Sequence, residues 1–188
     1  MEQDIIKNIK KSFFAYRNGV IADRLRNAGD CHKVIFGLNI PQLVEIANAT
    51  GQNANIARQL WFNSDSRESR LIAPMIFPSE DMSIEEAHSW IDSVENTEVS
   101  DNLCHKLLKK LPYAETLFQE YSLSANDLLR YTAFRIAMNL LCSGYIRNYN
   151  TLQEQAELEL SKNCQLTKLL CTNILDEIEW AQTNESRF

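Results

Sequence analysis

The sequence predicts an all-α protein, and three observations carry the prediction. Apolar residues recur at helical spacing: Leu129, Ala133, Ile136, Ala137, Leu140 and Leu141 make one stripe, Leu103, Leu107, Leu108 and Leu111 a second, and Leu166, Leu170, Ile174 and Ile178 a third. Helix-start signals recur along the chain. Only five Gly and four Pro occur in 188 residues, too little turn chemistry for a many-stranded β protein. No stretch of comparable length alternates with period two.

The start signals, in chain order, are Asn39-Ile-Pro-Gln42, Asp65-Ser-Arg-Glu68, Ser83-Ile-Glu-Glu86, Ser124-Ala-Asn-Asp127 and Thr151-Leu-Gln-Glu154. In each, a short polar side chain can accept a free N–H of the first turn. An acid or amide three residues on reaches back or favours the helix dipole. Pro41 falls where a first-turn proline is tolerated. The pattern predicts helices over 3–17, 19–27, 40–50, 53–62, 66–77, 84–94, 98–110, 113–121, 125–143, 150–161 and 164–182. Short helices joined by brief polar turns, two per roughly 35–40 residues, suit stacked antiparallel pairs better than a long-helix bundle. No linker or low-complexity segment marks a boundary, so residues 1–188 read as one domain, with frayed ends at Met1–Gln3 and Asn184–Phe188.

An apolar fraction of 45% with 23% charged residues is that of an ordinary globular protein. Five cysteines, odd in number and free of CxxC spacing, read as reduced thiols of a cytoplasmic protein rather than as a zinc site. His32, His88 and His105 are unclustered, and no Gly-rich phosphate loop occurs, so neither a metal nor another cofactor is expected. The first residues lack the apolar core of a signal peptide, and no run approaches the ~20 apolar residues of a membrane span. The net charge is −6, yet its distribution is uneven. Residues 1–33 hold seven basic side chains against four acidic ones, whereas the chain from Asn150 onward holds three against seven. Nucleic-acid binding depends on where the cations lie more than on their sum.

Three segments carry a resemblance. His32 to Ala47 (HKVIFGLNIPQLVEIA) places a Gly ahead of a helix that starts near a Pro. Ala57 to Ala73 (ARQLWFNSDSRESRLIA) holds a Leu-Trp pair, a short turn, a Glu and then Leu-Ile-Ala. Asn96 to Asp101 (NTEVSD), followed by Leu128 to Phe134 (LLRYTAF), is similar to a "WD-x-x-D" turn followed by a "W-x-R-R-x-A" helix. In order and spacing these segments resemble the DNA alkylation repair enzymes, the HEAT-like-repeat alkylpurine DNA glycosylases. The chain looks like a divergent, C-terminally short member. The resemblance implies an α-α superhelix of HEAT-like (armadillo-type) repeats. It also implies duplex DNA as partner and excision of cationic N3- or N7-alkylated purines. A carboxylate beside the deoxyribose then stabilises the positive charge that develops on the sugar, which is sound electrostatics for a leaving group that is already cationic.

Carried over residue by residue, the resemblance makes Asp101 the catalytic carboxylate and Glu98 the second acid of that turn. Lys106, Lys109, Lys110, Arg130 and Arg135 are the candidate phosphate contacts. Two positions depart from the family pattern: Thr97 stands where an aromatic packs on the sugar, and Tyr131 where an arginine is found. Whether excision survives these departures is left open by the sequence. An acidic helix N-terminus would account for Glu98 and Asp101 without catalysis, and a solvated helix face would account for the lysines. Arg67 and Arg70 flank Glu68 as an intra-helical ion pair would, and Trp61 and Trp180 read as packing residues between helices. The alternative function is a catalytically inactive helical-repeat scaffold that binds a protein partner in its concave groove.

Overall fold

The computed structural model describes residues 2–146 and 148–185, and divides into two compact units, Met1–Ser83 and Ile84–Phe188. The first unit holds helices α1 (Glu2–Ala15), α2 (Gly19–Asn27), α3 (Ile40–Thr50), α4 (Ala54–Trp61) and α5 (Arg67–Ile76). The second holds α6 (Ile84–Asp92), α7 (Thr97–Lys106), α8 (Ala114–Tyr121), α9 (Asp127–Cys142), α10 (Tyr149–Ser161) and α11 (Gln165–Glu185). Short 3-10 turns occupy Ser79–Asp81 and Leu108–Lys110. The expected all-α class stands. Among the described residues, extended pairing is confined to one isolated bridge between Val34 and Ser66.

Asparagine begins most of these helices. Asn18, Asn53, Asn96 and Asn126 each accept a first-turn N–H, and Asn39 forms a reciprocal capping box with Gln42. Three expected starts move by one to three residues: Ser66, not Asp65, caps α5, Asn126, not Ser124, caps α9, and Asn148, not Thr151, precedes α10. The expected helix over 98–110 is interrupted at Leu107 (φ −128°, ψ −63°) and resumes as a 3-10 turn. The frayed ends expected for Gln3 and Asn184 are instead helical, while Met1 and Ser186–Phe188 lie outside the described residues.

In the first unit α5 is buried nearly throughout and packs on α3 and α4. Its start is fixed by the wholly buried Glu68, whose carboxylate accepts N–H groups from Phe36 (3.0 Å), Gly37 (2.9 Å) and Leu38 (3.3 Å). Arg67 Nη1 donates to the same carboxylate (2.9 Å) and to the Leu38 carbonyl (3.0 Å). Three backbone donors and a guanidinium offset the desolvation of this buried anion. The expected pairing around Glu68 thus holds for Arg67. Arg70 lies 3.7 Å from the Trp61 ring centroid and donates to the Trp61 carbonyl.

Gly37 sits at φ +82°, and a Cβ there would fall 2.2 Å from the Asn18 carbonyl oxygen. The loop therefore closes against the start of α2 only because residue 37 has no side chain.

In the second unit α9 is the central element, packed on by α7, α8 and α11, with α10 against α11. Trp90, Leu103, Phe118, Phe134, Ile136 and Ile174 form its core. Trp61 and Trp90 are fully buried, but Trp180 is 64% exposed on α11, contrary to the packing role expected of it. Trp180 lies two residues beyond Ile178, about 200° around the helix from the buried stripe. No helix among the described residues is long and apolar enough to cross a membrane.

Candidate functional site: an anchored carboxylate among cations

Asn96 caps α7, and Glu98 and Asp101 follow within its first two turns. Asp101 faces α9. Its Oδ1 accepts a hydrogen bond from Tyr131 Oη at 2.8 Å, and Arg135 Nε lies 2.9 Å from the same oxygen. The Arg135 contact is a close charge pair rather than an aligned hydrogen bond. Oδ2 has no hydrogen-bond partner among the described residues, and the side chain is about one-third exposed (36%). One oxygen is thus anchored and the other is open.

Burial pushes the Asp101 carboxyl above the ordinary carboxylate range. The Tyr131 hydrogen bond and the Arg135 charge pull it down without cancelling that effect, and the neighbouring Glu98 pushes it up. Asp101 in turn raises the Tyr131 phenol, after burial, so the tyrosine is a fixed donor. Thr97, the first residue of α7, brings no ring to this place.

The cations form two groups with different fates. Lys106 and Lys109 are half-buried and Lys110 exposed, on α7 and the turn that follows it. None of the three forms an ion pair among the described residues; Lys109 Nζ contacts His105 Nδ1 at 3.4 Å. Their mutual proximity registers in their neighbours. Burial, then Lys109 and Lys106, lower the Lys110 ammonium. Burial first, then Lys109, lower the His105 imidazole, with Lys106 and Arg135 adding to the effect. Arg135 is the cation that acts on Asp101 itself, while the lysines gather around His105, which Arg135 also reaches.

Arg130 departs from expectation. It is buried, and its guanidinium donates through Nε to Glu159 (2.9 Å), through Nη1 to the Ser124 and Ala125 carbonyls, and through Nη2 to Asp127 (2.6 Å). Glu159 also accepts from Thr167 and Lys162. Burial raises the Glu159 carboxyl, but the hydrogen bonds from Lys162, Arg130 and Thr167 outweigh it and hold it below the ordinary range. Arg130 ties α9 to α10 and offers nothing to a phosphate. Arg135, five residues along the same helix, is about one-third exposed and lies against Asp101.

Asp30, Cys31 and His32 bring one ligand-type atom each within 4.8 Å of one another. The Asp30 Oδ1 is already taken by the His32 backbone N–H and Nδ1 at 2.9 and 2.7 Å, so the pair serves to shape its loop.

An all-helical chain of paired short helices, with a buried Glu at the start of α5 and an anchored Asp on α7, has the HEAT-like-repeat fold. The chain belongs to the DNA alkylation repair enzyme family, whose family model matches residues 9–179. A solved structure superposes on it with a TM-score of 0.83 at 16% identity, covering 96% of this chain and 79% of that one. It is described as "a new family of proteins related to the HEAT-like repeat DNA glycosylases with affinity for branched DNA structures". No curated protein is matched by sequence.

Proposed function

We propose that this protein binds duplex DNA through the face made by Lys106, Lys109, Lys110 and Arg135, and that any alkylpurine it excises is released through Asp101. One observation carries the proposal: Lys106, Lys109 and Lys110, which form no ion pair among the described residues, cluster at the end of the helix that carries the anchored Asp101. The lysines would neutralise phosphates, and the open oxygen would face a sugar whose positive charge grows as the glycosidic bond to a cationic base breaks. Family membership and a neighbouring structure described as having affinity for branched DNA support a nucleic-acid partner.

The same geometry limits the chemistry. Arg135 compensates the very charge the reaction needs. Excision is therefore slow unless Arg135 turns to a phosphate and leaves Asp101 uncompensated. Glu98 adds negative potential beside it.

The test pairs binding with chemistry. Affinity for duplex DNA measured against salt concentration should fall steeply, and Lys106→Ala and Lys109→Ala should each flatten the slope. Release of 7-methylguanine and 3-methyladenine from methylated duplex should be slow and abolished by Asp101→Asn. Salt-dependent binding with no release would leave a DNA-binding protein without the enzyme. Absence of salt-dependent binding would overturn the proposal and leave the scaffold reading.

A further inference from the structure

A cavity of about 220 Å³ adjoins the cationic face and shares Lys109 and Lys110 with it. Its walls differ in chemistry. Its lining brings together the cations Lys109 and Lys110, Glu115 at the start of α8, the aromatic Tyr145, and the apolar Leu111 and Leu140. Tyr145 is held by the end of α9. Gly144, at φ +71°, donates to the Leu141 carbonyl (3.0 Å), and Tyr145 N–H donates to the Leu140 carbonyl (3.0 Å). This double closure is a Schellman motif, in which the residue after the glycine usually packs back on the helix. Here a large aromatic at that fixed position is left 72% exposed.

We propose that this pocket is a subsite for an unpaired nucleotide of a DNA strand, with its base on the Tyr145 ring and its phosphate on Lys109 and Lys110; the proposal rests on the DNA-binding reading above. A rigid, exposed ring next to cations is the combination that holds unpaired bases, because every base has a π-face and every nucleotide a phosphate. Paired bases present no free face to such a ring. Glu115 supplies an acceptor for the exocyclic amine of a stacked base. The Lys110 ammonium, lowered by burial and by Lys109 and Lys106, gains from an anion placed between the lysines. Because Lys109 belongs both to this pocket and to the face around Asp101, one strand can leave a duplex on that face and enter the pocket without a gap in the positive charge.

The experiment compares the full-length chain, Tyr145→Ala and Tyr145→Phe by fluorescence anisotropy on two probes: a blunt duplex, and the same duplex with a short single-stranded arm carrying 2-aminopurine. The side chain is exposed, so folding is not at stake, and circular dichroism checks it. The unmodified protein should prefer the armed duplex and quench the 2-aminopurine on binding. Tyr145→Ala should lose about tenfold in affinity for the armed duplex, lose the quenching, and bind the blunt duplex unchanged. Tyr145→Phe should keep both. Equal behaviour of Tyr145→Ala and the unmodified protein on the armed duplex, with blunt-duplex binding intact, would overturn the pocket while leaving the DNA reading. Absence of binding to both probes would overturn the DNA reading and the pocket with it.

Discussion

Tyr131 donates a 2.8 Å hydrogen bond to the Asp101 oxygen that Arg135 approaches from the next turn of the same helix. A tyrosine stands where the family pattern has arginine, and it holds the acid rather than a phosphate.

That relationship sets the pH behaviour of Asp101. Its carboxyl should titrate above the ordinary value of about 3.9. Tyr131→Phe and Arg135→Gln each remove an interaction that favours the anion, so each should move the midpoint higher still. Carbon-detected NMR of the carboxyl reads the shift directly, and a midpoint at or below the ordinary value would contradict the burial argument. Any release of alkylpurine should fall as pH drops through that same midpoint. The stability consequence has the opposite sense. With the folded value above the unfolded one, protonation of Asp101 stabilises the protein at low pH. That contribution is lost as pH rises through the folded value. Asp101→Asn should therefore be at least as stable as the unmodified protein near neutrality, which makes it a clean probe of chemistry.

Glu68 is expected to govern the folding of the first unit. Glu68→Gln replaces an acceptor of three N–H groups and a guanidinium with an amide whose own NH2 opposes them, and takes from the buried Arg67 its nearer counter-charge, Asp30 lying at 3.9 Å. Removing one partner of a buried ion pair costs about 3–5 kcal/mol. A chemical-denaturation midpoint for Glu68→Gln close to that of the unmodified protein would show that the network is dispensable.

Gly37→Ala tests the loop that Glu68 closes. The left-handed conformation alone costs alanine about 1–2 kcal/mol, and the Asn18 carbonyl at 2.2 Å from the new Cβ is backbone that has to move. We expect Gly37→Ala to cost at least about 2 kcal/mol and more than Gly29→Ala, which carries left-handed strain of its own (φ +93°) but has nothing within 4 Å of a Cβ. Equal denaturation midpoints for the two variants would refute the close-approach argument.

The fold was legible because helical order is written locally. Stripes such as Leu129 to Leu141 and the cap at Asn39 need only neighbours within a turn or two, and the expected helices fall within two residues of the observed ones except at the ends of α7, four residues earlier than expected, and α11, three residues later. The break at Leu107 was hidden, because Leu107, Leu108 and Leu111 keep apolar spacing on either side of it and all three are buried. The site was less legible. Asp101 was reached by resemblance, and the lysines by their density on one helix. Arg130 and Arg135 are told apart only by partners distant in sequence, Glu159 lying 29 residues from Arg130, and nothing local announces which arginine turns inward. Tyr131 looked like a lost contact because its partner, Asp101, is 30 residues away. Tyr145 carried no signal at all, since its role depends on exposure at the end of a helix and on a cavity shared with Lys109.

The two classes of cation should separate cleanly by measurement. Arg130→Ala leaves Glu159 buried with a reduced set of donors, and should cost about 3–5 kcal/mol of stability. Because the Glu159 carboxyl is held below its ordinary range, the stability it contributes is complete above the unfolded value of about 4.3 and is lost as pH falls through the folded one. The penalty of Arg130→Ala should accordingly shrink on acidification. Lys106→Ala and Lys109→Ala should leave stability within about 0.5 kcal/mol, as surface changes do, while each lowers the slope of log affinity against log salt by about one. Thermal melts across pH, set beside DNA titrations across salt, give both readouts. If Arg130→Ala proved stable but lost DNA affinity, the assignment of Arg130 to the core would be wrong. If the lysine variants kept the full salt slope, the phosphate-binding face would lie elsewhere on the molecule.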